Sequence, residues 1–150
     1  MPRSTSARAG LQSSAEAAET VFYEALQAAD VDTLMRVWAD EDDVVCVHPG
    51  GPRLVGSAAI RASFEQILSR GVLRITPERV LRTITLGCAV HSVVERVQMQ
   101  ADPGAPKFAF VLATNIYVKT PDGWRMVLHH ASPATAYEVA EVIATPERLH

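Results

Sequence analysis

The sequence has few of the features that would assign it to several large classes of protein. Its two cysteines, Cys46 and Cys88, lack CxxC spacing, which excludes a disulfide framework and a thiolate metal site and favours two reduced thiols. No stretch approaches the roughly 18 consecutive apolar residues of a transmembrane helix. No basic run accompanies the net charge of −3, and the polar N-terminus lacks the apolar segment of a signal peptide. We therefore expect a cytoplasmic protein that binds neither membranes nor nucleic acid.

The remaining composition is that of one ordinary globular domain. The chain has 150 residues, 48% hydrophobic and 21% charged, which is enough to bury a substantial core. Residues 1–12 offer almost nothing to bury and are predicted to be a disordered tail. The domain is expected over 13–133, followed by an extension over 134–150. In that extension the capping-box spacing of Thr135 and Glu138 predicts a short helix.

Helical periodicity dominates the first half of the domain. Ser13 and Glu16 have capping-box spacing, and apolar residues recur every three or four positions after them, which predicts a helix to about Ala29. Asp32 is predicted to cap a second helix. A short buried strand and a turn over 44–52 then lead to a third helix, which begins at about Ser57.

The period changes to two after the third helix. Four long strands are predicted, and the turn Thr120-Pro121-Asp122-Gly123 joins the last two as a hairpin. Because the connections are short, neighbouring strands should be antiparallel. The predicted fold class is therefore α+β, with helices packed on a curved antiparallel sheet. The strands are expected at 72–85, 88–100, 107–119 and 124–132.

The hairpin turn allows the register of the last two strands to be estimated. If Gly123 forms a bulge, Val118 lies opposite Met126, Ile116 opposite Leu128 and Thr114 opposite His130. The bulkier face, which includes Phe110, Thr114, Trp124 and His130, is predicted to face the helices. The opposite face carries a small apolar row, which predicts a homodimer through the convex side of the sheet. That row comprises Ala109, Val111, Ala113 and Val127.

The strand over 88–100 has two possible orientations, since a slip of one residue exchanges its faces. Hydrophobic content favours an inward Ala89, Val93, Val97 and Met99. This orientation also sends His91 and Glu95 toward the helices. A carboxylate among apolar side chains is rare without a partner or a function.

Two segments resemble the nuclear transport factor 2-like superfamily, and in particular its SnoaL-like and ketosteroid isomerase-like members. They are VWADEDDVVCVHPGGPRLVGSAAIRASF, similar to the passage from the second to the third helix, and ATNIYVKTPDGWRMVLHHASP, similar to the closing hairpin. Trp124, His130 and Ser132 match a final strand that ends in His-x-Ser. The resemblance implies a cone-shaped sheet wrapped by three N-terminal helices. It does not imply one reaction, because the superfamily contains isomerases, cyclases, dehydratases and plain binding domains.

Glu95 and His130 are the predicted catalytic pair. The other interpretation of His130 is a structural histidine with its hydrogen bonds satisfied, and the sequence leaves open which of His129 and His130 faces the pocket. Desolvation would raise the pKa of Glu95 toward neutrality, where a carboxylate serves as a general base. The expected activity is proton transfer (isomerisation, dehydration or cyclisation) on a small apolar carbonyl compound, and the alternative is a non-catalytic ligand-binding or dimerisation domain. A surface ion pair or an outward position remains the other interpretation of Glu95. The predicted pocket residues are Tyr23, Trp38, His48, Phe64, Met99, Phe110, Thr114 and Trp124.

Neither a metal nor a cofactor is expected. His129 and His130 are adjacent on a strand, so they point to opposite faces and cannot hold the same ion. No GxGxxG or lysine-bearing phosphate loop accompanies Gly50 and Gly51.

Overall fold

The computed structural model describes residues 13–71, 73–99 and 107–135, apart from the side chain of Met99. Within them, three helices and two short strands precede four long strands. The elements are α1 (Ala15–Ala28), α2 (Val31–Val37), β1 (Val45–Val47), β2 (Arg53–Val55), α3 (Ser57–Leu68), β3 (Arg74–Ile84), β4 (Cys88–Met99), β5 (Lys107–Thr120) and β6 (Gly123–Pro133). The predicted tail over 1–12 and nearly all of the predicted helix after Thr135 lie outside the described residues.

Two of the three described helices begin at a side-chain cap, and each cap lies within two residues of the predicted one. Ser14, rather than Ser13, accepts a hydrogen bond from the backbone of Ala17 at 3.0 Å and starts α1. Asp30, rather than Asp32, accepts from the backbone of Thr33 at 3.1 Å and starts α2. Each bond satisfies a donor that the first helical turn leaves unpaired.

The strands form one curved, open sheet in the order β2-β1-β6-β5-β4-β3. The four long strands pair as antiparallel neighbours, which confirms the prediction. The short strand β1 runs parallel to β6, so the whole sheet is mixed. Strand β2 pairs with β1 and was not predicted, because its three residues are too few to show a period. The α+β class with three N-terminal helices is confirmed.

One face of the sheet packs on the helices and contains the core. Helix α1 contacts both β3 and β6, and its buried side comprises Ala15, Ala18, Glu19, Phe22, Tyr23, Ala25 and Leu26. Phe22 makes edge-to-face contacts with Tyr23 and with Phe64 of α3, which ties the two helices together. No helix in the described part of the chain is long and apolar enough to cross a membrane.

A β-bulge in β6 decides which residues of this strand face the helices. Tyr117 pairs with Met126 and the next residue back, Ile116, pairs with Leu128, so Val127 is an extra residue in β6. An extra residue reverses the alternation of side chains beyond it. Met126 therefore faces the helices before the bulge, and His129 faces them after it.

The bulge corrects part of the predicted register. The pairs Ile116–Leu128 and Thr114–His130 are confirmed, whereas Val118 lies opposite Arg125 instead of Met126. The hairpin turn itself is as predicted, with Gly123 at φ 103°, a left-handed conformation that glycine tolerates well. The extra residue lies four positions later than the bulge that the turn was expected to contain.

The assignment of faces in β5 was wrong. Asn115 and Tyr117 are completely buried against the helices, and Ala113 is 3% exposed. Ala109, Val111 and Ala113 therefore belong to the inner face and are not available for the predicted dimer. Side-chain size favoured Phe110, Thr114 and their neighbours for the inner face. The residues that are in fact buried include Asn115 and Tyr117, whose polar groups form hydrogen bonds with α1. The outer face carries half-exposed apolar side chains instead, including Val94, Leu112, Ile116, Val118 and Leu128.

Candidate functional site

A cavity of about 270 Å³ lies between the inner face of the sheet and the helices α1 and α3. Its walls are almost entirely apolar, and three of its lining residues, Glu95, His48 and His129, are ionisable. Short side chains on β5 and β6, namely Ala109, Val111 and Ala131, leave the space that longer ones would fill. The other lining residues are Leu26, Pro49, Phe64, Ile67, Leu73, Ile75 and Val97.

Glu95 is placed by β4, where it pairs with Val111 on the inner face of the sheet. Only 3% of the residue is exposed. Its Oε2 accepts a hydrogen bond of 2.7 Å from the Tyr23 hydroxyl on α1. Burial raises the pKa of Glu95 to about 7, the negative charge of Glu19 adds to that rise, and the Tyr23 hydrogen bond opposes it. The predicted inward orientation of Glu95 matches the structure.

Glu19 on α1 is a second buried carboxylate and lies behind the cavity wall. It accepts hydrogen bonds from Asn115 Nδ2 at 3.1 Å and from the Tyr117 hydroxyl at 2.9 Å. His91 Nδ1 lies 3.0 Å from Glu19 Oε2, an ion-pair distance without hydrogen-bond geometry. Burial opposes ionisation of Glu19, but the contacts with His91, Asn115 and Tyr117 outweigh it and lower the pKa. Glu19 is therefore the charged carboxylate of the pair.

Asn115 on β5 connects the two carboxylates and a histidine. Its Nδ2 donates to Glu19 and also to the Tyr23 hydroxyl oxygen at 3.0 Å, while its Oδ1 lies 2.6 Å from His129 Nδ1. A continuous series of hydrogen bonds thus runs from His129 through Asn115 and Tyr23 to Glu95. Burial raises the pKa of Tyr23 well above its usual value, and the charge of Glu95 adds to this, so the hydroxyl remains a donor.

His129 lies at the cavity wall on β6 and is 5% exposed. Burial lowers the pKa of its imidazole to about 3, and the neighbouring His48 and His130 imidazoles add to this effect. The ring is therefore neutral at physiological pH. It packs at a tilt against Phe22, with ring centroids 5.3 Å apart, which holds it in place.

His48 follows β1 and forms another part of the wall. Its Nε2 lies 3.0 Å from Ser63 Oγ on α3, and its ring contacts Phe64 edge to face. Burial lowers the pKa of His48. Gly51 closes the following turn by donating its backbone N–H to the His48 carbonyl at 2.8 Å.

The structure brings some predicted site residues together and separates others. Glu95, His48 and Phe64 line the cavity, and Tyr23 lies behind Glu95 as its hydrogen-bond donor. Trp38 is 1% exposed and belongs to the core rather than to the cavity wall. Trp124 packs half-buried against the core. The side chain of Met99 lies outside the described residues.

His130 is the main correction, because it cannot form a pair with Glu95. His130 and Thr114 are exposed and share a shallow depression on the outer face of the sheet with Ser92 and Leu112. Phe110 belongs to the same outer face. The cause is that the inner face of β5 was chosen by side-chain size, since the predicted pairing of Thr114 with His130 is correct.

Sequence reasoning did not identify Glu19, Asn115, Tyr117 or His129 as members of the site. Glu19 lies 96 residues from Asn115 along the chain, so no local motif joins them. One signal was present: Glu19 and Tyr23 are four residues apart, on the face of α1 that also carries Ala15, Phe22 and Leu26. Polar residues on an otherwise apolar helix face indicate a buried polar cluster.

The fold is a cone-shaped α+β domain, and the cavity lies between its sheet and its helices. Residues 15–136 match the family model of SnoaL-like domains, and the chain belongs to this family within the nuclear transport factor 2-like superfamily. Among functionally curated proteins, none gives a significant match.

Several solved structures are similar to this chain. A protein from Thiobacillus denitrificans, named as a candidate calcium/calmodulin-dependent protein kinase type II association domain, is 38% identical with a TM-score of 0.75; the match covers 83% of this chain and 98% of that one. A candidate dehydratase of the nuclear transport factor 2-like family from Streptomyces avermitilis is 30% identical with a TM-score of 0.71, over 91% and 100% of the two chains. A ketosteroid isomerase-like protein from Erwinia carotovora atroseptica shares the fold at 18% identity and a TM-score of 0.63, over 80% and 93%.

Proposed function

We propose that this protein is an enzyme in which Glu95 acts as a general base on a small, largely apolar carbonyl compound bound in the cavity. The observation that carries the proposal is a carboxyl group with a pKa of about 7 in an apolar-walled cavity of about 270 Å³. A base with a pKa near the working pH is half deprotonated and can both take and return a proton.

The proposed reaction is an enolisation. The Glu95 carboxylate takes a proton from the carbon beside the carbonyl, and the electron pair of the C–H bond moves into an enolate. Glu95 is then a neutral acid that can return the proton. In a β,γ-unsaturated carbonyl compound the enolate extends over the double bond, and return of the proton at the γ carbon completes an isomerisation. Dehydration and cyclisation begin with the same proton abstraction and differ in how the enolate reacts further.

The surroundings of Glu95 are suited to this cycle. Tyr23 holds one carboxylate oxygen, Oε2, and leaves Oε1 to act on the ligand. Charged Glu19 disfavours a second negative charge nearby and so keeps the pKa of Glu95 high. An ionised carboxylate in apolar surroundings costs several kcal/mol. Stability alone therefore does not explain why a carboxylate occupies this position.

The name of the Streptomyces relative, a candidate dehydratase, supports a reaction of this class. The name of the Thiobacillus relative, a candidate association domain, favours the alternative, a domain that binds a ligand or assembles without catalysis. Both relatives are at least 30% identical to this chain. The two proposals differ in one measurable property, which is whether Glu95 exchanges a proton with a bound ligand.

The test is deuterium incorporation beside the carbonyl of cyclohexanone and acetophenone in deuterium oxide, followed by proton NMR. The wild-type protein should accelerate exchange, and Glu95→Gln should slow it by about a hundredfold or more. Glu24→Gln, which removes an exposed carboxylate from α1, is the matched control and should exchange like the wild type. Binding of these ketones without any acceleration would reject the enzyme in favour of the binding domain.

A further inference from the structure

We infer that the cavity selects a ligand bearing a hydroxyl group, which donates its hydrogen bond to Nε2 of His129. This inference deepens the proposed function, on which it rests for the reaction, by naming the substrate class as a hydroxylated carbonyl compound or its enol. The inference depends on the directions of the hydrogen bonds around the cavity. The donor and acceptor roles of one group determine those of the group to which it is bonded.

The first step is the orientation of the Asn115 amide. Glu19 is an ionised carboxylate and can only accept, so the atom of Asn115 that lies 3.1 Å from it must be the NH₂ nitrogen. The same nitrogen donates to the Tyr23 oxygen, whose own proton is given to Glu95. The amide oxygen of Asn115 must therefore face His129.

The second step is the tautomer of His129. Its Nδ1 lies 2.6 Å from the amide oxygen of Asn115, which can only accept, so Nδ1 carries the proton. Two acceptors at that distance would repel each other. Since a pKa of about 3 keeps the ring neutral, Nε2 has no proton and presents a lone pair. His129 can thus accept a hydrogen bond from a ligand but cannot supply a proton to one.

The hydrogen bond of His48 likewise determines its tautomer. The hydroxyl of Ser63 donates to the carbonyl of Ile60 at 2.8 Å, so its oxygen accepts from His48 Nε2 at 3.0 Å. In the neutral ring Nδ1 is then the acceptor. Glu95 in its ionised form is a third acceptor.

The described side chains that line the cavity therefore offer acceptors on apolar walls, and only Glu95 becomes a donor within about one pH unit of neutrality. A ligand without a donor would leave these acceptors desolvated and unpaired, at a cost of about 1–3 kcal/mol for each group. A hydroxyl removes that cost at His129. Ethers, hydrocarbons and simple ketones cannot do so.

A matched set of small probes tests the selectivity. Of phenol, anisole and toluene, only phenol has a hydrogen-bond donor. The wild-type protein should therefore bind phenol at least about tenfold more tightly than anisole, a difference equivalent to one hydrogen bond. Equal affinities would overturn the inference. His129→Phe should remove the preference, and Glu95→Gln should retain it. If Glu95→Gln alone abolishes the preference, the hydroxyl binds Glu95 and the assignment to His129 is wrong.

The nitrogen NMR spectrum of ¹⁵N-histidine-labelled wild-type protein tests the tautomer directly and needs no variant to fold. The His129 Nε2 resonance should lie in the range of an unprotonated imine nitrogen; a protonated Nε2 would refute the inference. The experiments distinguish failure of the proposed general base from failure of the proposed hydroxyl selectivity. Proton exchange without hydroxyl preference would leave the proposed base in place, and hydroxyl preference without exchange would leave the selectivity in place.

Discussion

Replacing Glu95 with glutamine should stabilise the folded protein at alkaline pH and have little effect near pH 4. Glutamine has nearly the same shape and can still accept a hydrogen bond from Tyr23, but it carries no charge at any pH. The substitution therefore isolates the cost of ionising this carboxyl group inside the protein.

The magnitude follows from the difference between two pKa values. The carboxyl has its ordinary pKa of 4.5 in the unfolded chain and a pKa of about 7 in the folded protein. The folded state thus binds the proton more tightly, and the contribution of Glu95 to stability is fully present below about pH 4.5. It is lost as the pH rises through about 7. At about 1.4 kcal/mol for each pH unit, the loss is about 3 kcal/mol.

Urea denaturation followed by tryptophan fluorescence, at about pH 5 and about pH 8, measures this difference. The gain from Glu95→Gln should be about 2–3 kcal/mol larger at the higher pH. The exposed Glu24→Gln variant is the control and should change stability by less than about 0.5 kcal/mol at either pH. A gain of equal size at both values, or a loss at about pH 8, would refute the assigned pKa and its cause.

Three further predictions concern the neighbours of Glu95 and the outer face of the sheet. Tyr23→Phe removes the hydrogen bond that lowers the pKa of Glu95, so carboxyl NMR should show that pKa rising above about 7; a fall would contradict this. Glu19→Gln removes a like charge, and the same titration should show the pKa of Glu95 falling rather than rising. We also propose that the half-exposed apolar outer face forms a homodimer in solution, with sedimentation detecting a dimer at micromolar concentration and Ile116→Arg shifting it to monomer; a monomeric wild-type protein would contradict the proposal.

Much of the fold could be predicted from the sequence because its local signals agree with the tertiary structure. Period-two alternation marked all four long strands, and α3 begins at Ser57 as predicted. The preference for an inward Ala89, Val93 and Val97 in β4 also placed Glu95 correctly. In each case burial on one face leaves a pattern within a single segment.

The choice between His129 and His130 could not be made in that way. The predicted pairing of Thr114 with His130 is correct, so the choice depends on which face of β5 is buried. The pairing of β5 with β4 carries the information instead, since Glu95 lies opposite Val111 and therefore on the side of Asn115.

The polar cluster depends on contacts between distant segments. Glu19 and Tyr23 on α1 meet Asn115 and Tyr117 on β5, more than 90 residues away. The alternation of side chains in β5 defined two faces but did not show which one is buried. Side-chain size favoured the face that turned out to be the outer one. Only the partners on α1 explain why the face with polar residues is the buried one.

The proposed function requires that Glu95 can exchange a proton within the cavity. A ¹³C NMR titration of the glutamate side-chain carboxyls, with Glu95 assigned by the Glu95→Gln variant, measures its pKa directly. The expected pKa is about 7. A value at or below the ordinary 4.5 would contradict it, because Glu95 would then be a permanently charged group without the proton affinity that the proposed reaction requires.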